Sequence, residues 1–300
     1  MNCHRTIRVA GVIVGIAALT VSLGGCAAQS REAVDERTSS VSVQKDVRYR
    51  TVGDQKLRLN ACLPPITREP SSAIVLVHGG GFERGSKDNG GMVKLCKELA
   101  NEGFAAFNVN YRLAPKFSYP APVDDVAAAV EWLRRPEQVT RFGIDPQRIG
   151  LFGSSAGAIV VASVGTAGDG STDAGSRVSA VVALSPAVDF TPNGFALGAP
   201  ADAEIQLVLQ YLGCTDVADC PNSKKASPLY SVDASDPSFF IAASSDEIVP
   251  IGQAKAMQSA LTAAGVPVEL EAKSGKKHGV QLLDDETRAR ILTFLHKELG

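Results

Sequence analysis

Residues 73–77 read AIVLV and stop at once in HGGGF. A continuous apolar run of that length, cut off by glycines, marks a strand buried on both faces, and strands of that kind belong to parallel sheets covered by helices. The alternation continues down the chain. DVRYRTVGDQKLRLNACL, from Asp46 to Leu63, reads as two strands joined by a turn at Gly53-Asp54. A helix is expected over Met92 to Glu102, then a strand in FAAFNVNYR, then a helix from Pro122 to Arg134. In that helix Val126, Val130 and Leu133 recur at helical spacing behind an opening proline. Ile149–Phe152, VSAVVALSP, PSFFIAASS and VPVELEA supply further strands, with helices at Ala156–Val164, VPIGQAKAMQSALTAAG and DETRARILTFLHKEL. Strands alternating with helices over some 250 residues imply an α/β fold: a mostly parallel central sheet with helices on both faces. The rhythm breaks only in 190–232, which is the expected cap or lid.

The ends of those elements carry chemistry-bearing residues. Gly153-Ser154-Ser155-Ala156-Gly157 fits G-x-S-x-G with Ser155 at the centre. Ser154 is excluded as the centre, because Phe152 would then occupy the first glycine position. A serine on a sharp strand-to-helix turn projects its hydroxyl from the sheet edge, and flanking glycines let the backbones pass closely. His78-Gly79-Gly80-Gly81 follows a buried strand. Bare backbone there lets N–H groups face a developing oxyanion, so Gly80, Gly81 and the amide of Ala156 are the expected oxyanion hole.

A serine hydroxyl needs a base, and there are four histidines. His4 lies in the leader, His78 in the glycine loop and His296 in the last helix. His278, in GKKHG after the last strand, is the expected base. The acid should follow a strand between Ser155 and His278 in chain order. Asp246 follows FFIAASS directly, Glu247 is one step further, and Asp236 precedes the strand, so Asp246 is the expected partner of His278. Its role would be to hold the imidazole in one tautomer and to stabilise the imidazolium. Activity should then rise with pH as the base loses its proton.

HGGGF, YRLAP (Tyr111 to Pro115), the Pro-Ala-Pro-Val-Asp-Asp at 120–125, GIDPQRIGLFGSSAG and the Asp246/His278 pair together resemble the hormone-sensitive-lipase-like esterases of the α/β-hydrolase fold. The resemblance covers roughly 46–300, with five elements in family order. It implies carboxylic ester hydrolysis and no cofactor, with oxyanion donors at Gly80, Gly81 and Ala156; the serine mechanism would run through an acyl-enzyme, and no cysteine spacing suggests a metal site. Two departures bear on the substrate. Only about twenty residues separate Cys26 from the first strand, so the cap must come mainly from 190–232. Val249-Pro250 follow Asp246, closer to the small feruloyl-esterase-like relatives. Asp124 and Asp125 are expected to be scaffolding near a helix N-terminus, and Phe82 and Phe190 to line the substrate pocket. The same triad acting on an amide, thioester or peptide bond, or a non-catalytic envelope binding module, are the alternatives.

The N-terminus reads differently. Arg5 and Arg8 precede the apolar VAGVIVGIAALTVSL, and then comes Leu23-Gly24-Gly25-Cys26. A basic region, a short apolar region and small residues before a cut site make an export signal. A membrane-spanning helix would need roughly 20 apolar residues. L-G-G-C resembles a bacterial lipobox, so 1–25 is expected to be a lipoprotein signal peptide, Cys26 the lipidated residue and 26–45 a polar tether to the envelope membrane. The domain 46–300 would then sit in an oxidising compartment, where disulfides persist. Cys214 and Cys220 flank the short loop CTDVADC and are expected to pair, whereas Cys62 and Cys96 are expected to be buried free thiols. A formal net charge of −2 gives no argument for nucleic acid as partner.

Overall fold

A computed structural model describes Ser40–Gly300. Eight strands form one sheet: β1 Ser42–Val52, β2 Gln55–Leu63, β3 Ser71–Val77, β4 Ala105–Val109, β5 Ile144–Ser154, β6 Ala180–Leu184, β7 Ser238–Ser244 and β8 Val268–Lys273. Their spatial order is β1-β2-β4-β3-β5-β6-β7-β8. The β1–β2 hairpin is antiparallel and joins β4 antiparallel, while every pairing from β4 to β8 is parallel. The expected α/β fold with a mostly parallel sheet is what forms.

Helices α1 Gly90–Asn101, α2 Ala121–Leu133, α3 Pro136–Phe142, α4 Ala156–Gly165, α8 Ile251–Ala263 and α9 Asp285–Leu299 cover the two faces. The pleat of β3 shows why a continuous apolar strand is needed. Val75 and Val77 enter the core with α2, α3, α4 and α8, whereas Ile74 and Leu76 enter the core with α1 and α9. All four side chains are buried because the sheet is packed on both faces.

The segment between β6 and β7 holds α5 Pro192–Phe195, α6 Asp202–Leu212, α7 Ser223–Ala226 and a 3-10 turn, Pro228–Ser231. Helix α6 is tied to the glycine loop by a parallel stack of Tyr211 on Phe82, centroids 3.8 Å apart, and Leu207 lies against Gly81. A disulfide joins Cys214 to Cys220 as expected. Cys62 and Cys96 are not free thiols: they form a second disulfide, from β2 to α1. The register explains the difference. Cys62 sits opposite Ala106 of β4 on the face that α1 covers, so strand and helix bring the two sulfurs together. Spacing in the sequence carries no trace of that. The leader, Cys26 and the tether up to residue 39 lie outside the described residues.

Candidate active site

Five loops meet at the carboxyl ends of adjacent parallel strands. Gly79 to Gly81 leave β3, Ser155 leaves β5, Ser185 leaves β6, Glu247 leaves β7 and His278 leaves β8. Open α/β sheets place ligands at this edge, because there every crossover loop projects the same way.

Ser155 stands between strand and helix with φ 55° and ψ −123°, a conformation costly for a residue with a side chain. The neighbouring backbone leaves no alternative. A Cβ at Gly153 would run into the Gly157 carbonyl, and one at Gly157 into the Val77 carbonyl. The glycines of the motif therefore let β3, β5 and α4 cross at contact distance. The Ser155 amide donates to the Leu184 carbonyl at 2.8 Å, pinning the turn to the end of β6.

His278 meets Ser155 as expected: Nε2 lies 2.7 Å from Ser155 Oγ. Its other nitrogen does not meet Asp246. Nδ1 is hydrogen-bonded to Glu247 Oε2, in a carboxylate wholly buried from solvent. Asp246 is exposed and accepts from its neighbour's hydroxyl, Ser245 Oγ, at 2.8 Å. The reason is the length of the pairing beyond β7. Ser245 and Asp246 still donate their amides to the Lys273 and Gly275 carbonyls, so the chain turns inward only afterwards. Glu247 then reaches back, its Oε1 accepting the Ser244 amide at 2.7 Å and its Oε2 facing the imidazole.

The amides of Gly80 and Gly81 donate to no protein acceptor among the described residues. Gly80 (φ 124°) and Gly81 (φ 62°) adopt conformations open to glycine. Ala156 opens α4, so its amide is one of the donors a helix leaves unpaired and carries the positive end of the helix dipole. The His78 imidazole makes no hydrogen bond to Ser155 or His278. The residue is buried, stacks on Tyr111 with centroids 4.4 Å apart, and its carbonyl accepts the Tyr111 hydroxyl at 2.9 Å. Burial holds its pKa below the ordinary imidazole value.

Asp125 is fully buried and accepts from Arg112 Nε at 2.7 Å and from Arg50 Nη1 at 2.9 Å, tying β1 and the YRLAP segment to α2. Asp124 lies in the first turn of the same helix. The cap and the loop after β7 enclose a cavity of about 50 Å³. Phe190 lines it with Glu204, Val208 and Val249, and neither Ser155 nor His278 does. Among the described residues no three His, Cys, Asp or Glu side chains converge as metal ligands.

Two residues at this edge carried no signal in the sequence reading. Ser154 Oγ accepts the Val280 amide at 3.1 Å and Ser185 Oγ the Gly279 amide at 2.8 Å. Ser154 thus anchors the loop that carries His278.

Among solved structures, a truncated carbohydrate esterase from gut microbiota superposes with a TM-score of 0.72, covering 88% of this chain and 98% of that one at 24% identity. Bovine neutral cholesterol ester hydrolase 1 is 32% identical over 43% of this chain, and carboxylesterase NlhH of Mycobacterium tuberculosis is 35% identical over 37% of it. These matches span about a third of each curated relative, 33% and 35% of their lengths. The model of one family, BD-FAE, matches residues 59–261, a stretch reaching from β2 through α8 and including the glycine loop, Ser155 and Glu247. The chain belongs to the BD-FAE family.

Proposed function

We propose that this protein is a serine carboxylic ester hydrolase working through Ser155, His278 and Glu247. The observation that carries the reading is the unbroken line from Ser155 Oγ through both imidazole nitrogens to the buried Glu247 carboxylate. Esterase and carboxylesterase names among the relatives support it.

In this mechanism Ser155 Oγ attacks the ester carbonyl carbon as its proton passes to His278 Nε2. The carbonyl π pair moves to oxygen, and that oxyanion is received by the amides of Gly80, Gly81 and Ala156. The pair returns, the alkoxide departs and takes the proton from Nε2, and an acyl-serine remains. Water then repeats the sequence, giving a carboxylic acid and free Ser155. Glu247 keeps the Nδ1 proton in place and stabilises the imidazolium in both halves.

Ser155→Ala tests the reading. Hydrolysis of short p-nitrophenyl esters should fall by about 10⁴-fold or more, with KM little changed. A variant as fast as wild type would exclude the mechanism. Ester, thioester and amide analogues assayed side by side should rank the ester first.

The proposal extends to export as a lipoprotein anchored through Cys26. Its support is the basic and apolar leader, the L-G-G-C stretch and two disulfides of a kind that oxidising compartments preserve. Cys26→Ser should abolish palmitate labelling in a bacterial host; persistent labelling would remove the lipobox assignment.

A further inference from the structure

We infer that Ser154 and Ser185 are positioning residues that set the reach of His278 to Ser155. The inference rests on the triad reading above and concerns what holds its base in place.

His278 begins a single 3-10 turn, Gly279–Leu282, that follows a loop. A loop histidine has many backbone placements, and misplacing reacting groups by about 1 Å typically costs on the order of 10²-fold in rate. Glu247 fixes the rotation of the imidazole, but a carboxylate at Nδ1 does not fix where the backbone of His278 sits. The next two amides do. Gly279 N–H donates to Ser185 Oγ at 2.8 Å and Val280 N–H to Ser154 Oγ at 3.1 Å. Both hydroxyls belong to buried residues at the ends of neighbouring strands, where Ser154 of β5 pairs with Leu184 of β6.

The bond from Ser154 closes a ring. Ser155 is joined covalently to Ser154, Ser154 holds Val280, and Val280 leads back two residues to His278, whose Nε2 returns to Ser155. Nucleophile and base are therefore measured against the same strand end. Sterics tighten the ring: a Cβ at Gly279, where φ is +56°, would overlap Ser154 Oγ. Ser185 itself takes φ 58°, unusual for a serine, and its amide is anchored on Ala242 of β7 at 2.8 Å. That strained backbone aims its hydroxyl at the Gly279 amide.

Ser154→Ala removes an acceptor from a part-buried amide. The His278 backbone, freed from that anchor, should sit less well for proton transfer and lower kcat about tenfold, about 1.4 kcal/mol of barrier, while KM changes less than about twofold. Ser154→Thr, which keeps the acceptor oxygen, should recover most of that loss, and Ser185→Ala should reproduce it independently. The rate at which an organophosphonate labels Ser155 should fall in step with kcat. Circular dichroism and melting curves confirm that each variant is folded; should Ser154→Ala not fold, Ser185→Ala gives the same test. Folded alanine variants with wild-type kcat and labelling rate would overturn the assignment. So would a kcat loss that Ser154→Thr does not recover while Ser185→Ala is silent. Ser155→Ala is the control that separates the two readings: if it too stays active, the triad reading fails, and if it is inactive while the others match wild type, only the positioning role fails.

Discussion

Asp246 and Glu247 are adjacent carboxylates after the same strand, and only Glu247 meets His278. Chain order and strand position brought the sequence reading to this dipeptide, but to its wrong member. The choice depends on two backbone hydrogen bonds, Ser245 to Lys273 and Asp246 to Gly275, that carry the pairing past the end of β7. Such pairing is a tertiary property, invisible along the chain. That Ser155 and His278 meet, by contrast, was legible, because glycine spacing and the scarcity of histidine leave few alternatives. Glu247→Gln should lower kcat by about 10³-fold or more through loss of the correct tautomer. Asp246→Asn, on an exposed side chain, should stay within about twofold of wild type. Steady-state kinetics with one p-nitrophenyl ester checks both. A large loss in Asp246→Asn with Glu247→Gln unaffected would restore the sequence expectation.

At the scale of elements, strands and helices were read nearly to their ends where apolar periodicity was strong. Helix α9 spans Asp285–Leu299, the very stretch expected. The short α3, Pro136–Phe142, was missed because seven residues carry too few turns to show a period. Its proline start and left-handed Gly143 stop were the available signals. The Cys62–Cys96 bridge was missed for another reason, since pairing across 34 residues depends on the β2–β4 register. Loop-closure entropy ranks the two bridges: about 4 kcal/mol for the 34-residue loop and about 2 kcal/mol for the six-residue one. Replacing Cys62 and Cys96 together by alanine should therefore lower the urea midpoint more than replacing Cys214 and Cys220. The reverse order would show that chain entropy does not dominate here.

The molecule as a whole assembles its candidate site from five strand ends, so the proposed chemistry requires an intact sheet. His78, buried under the glycine loop, makes that assembly sensitive to acid. Its pKa is depressed on folding, whereas in the unfolded chain it binds a proton below about 6.5. The unfolded state then holds more protons than the folded one, so this contribution to stability is present above that pH and is lost as pH falls through it. Urea midpoints at pH 7.5 and pH 5.5 should show a drop in wild type and a smaller drop in His78→Asn; equal drops would dismiss His78 as the source. The assembled site itself is read most directly by treating the native protein with an organophosphonate and locating the adduct by peptide mass spectrometry. The expected result is one phosphonyl group per chain, on Ser155 and not on Ser154, formed at least 100-fold more slowly in Glu247→Gln and at the wild-type rate in Asp246→Asn. An adduct elsewhere, or none on a folded protein, would contradict the assignment of Ser155, His278 and Glu247.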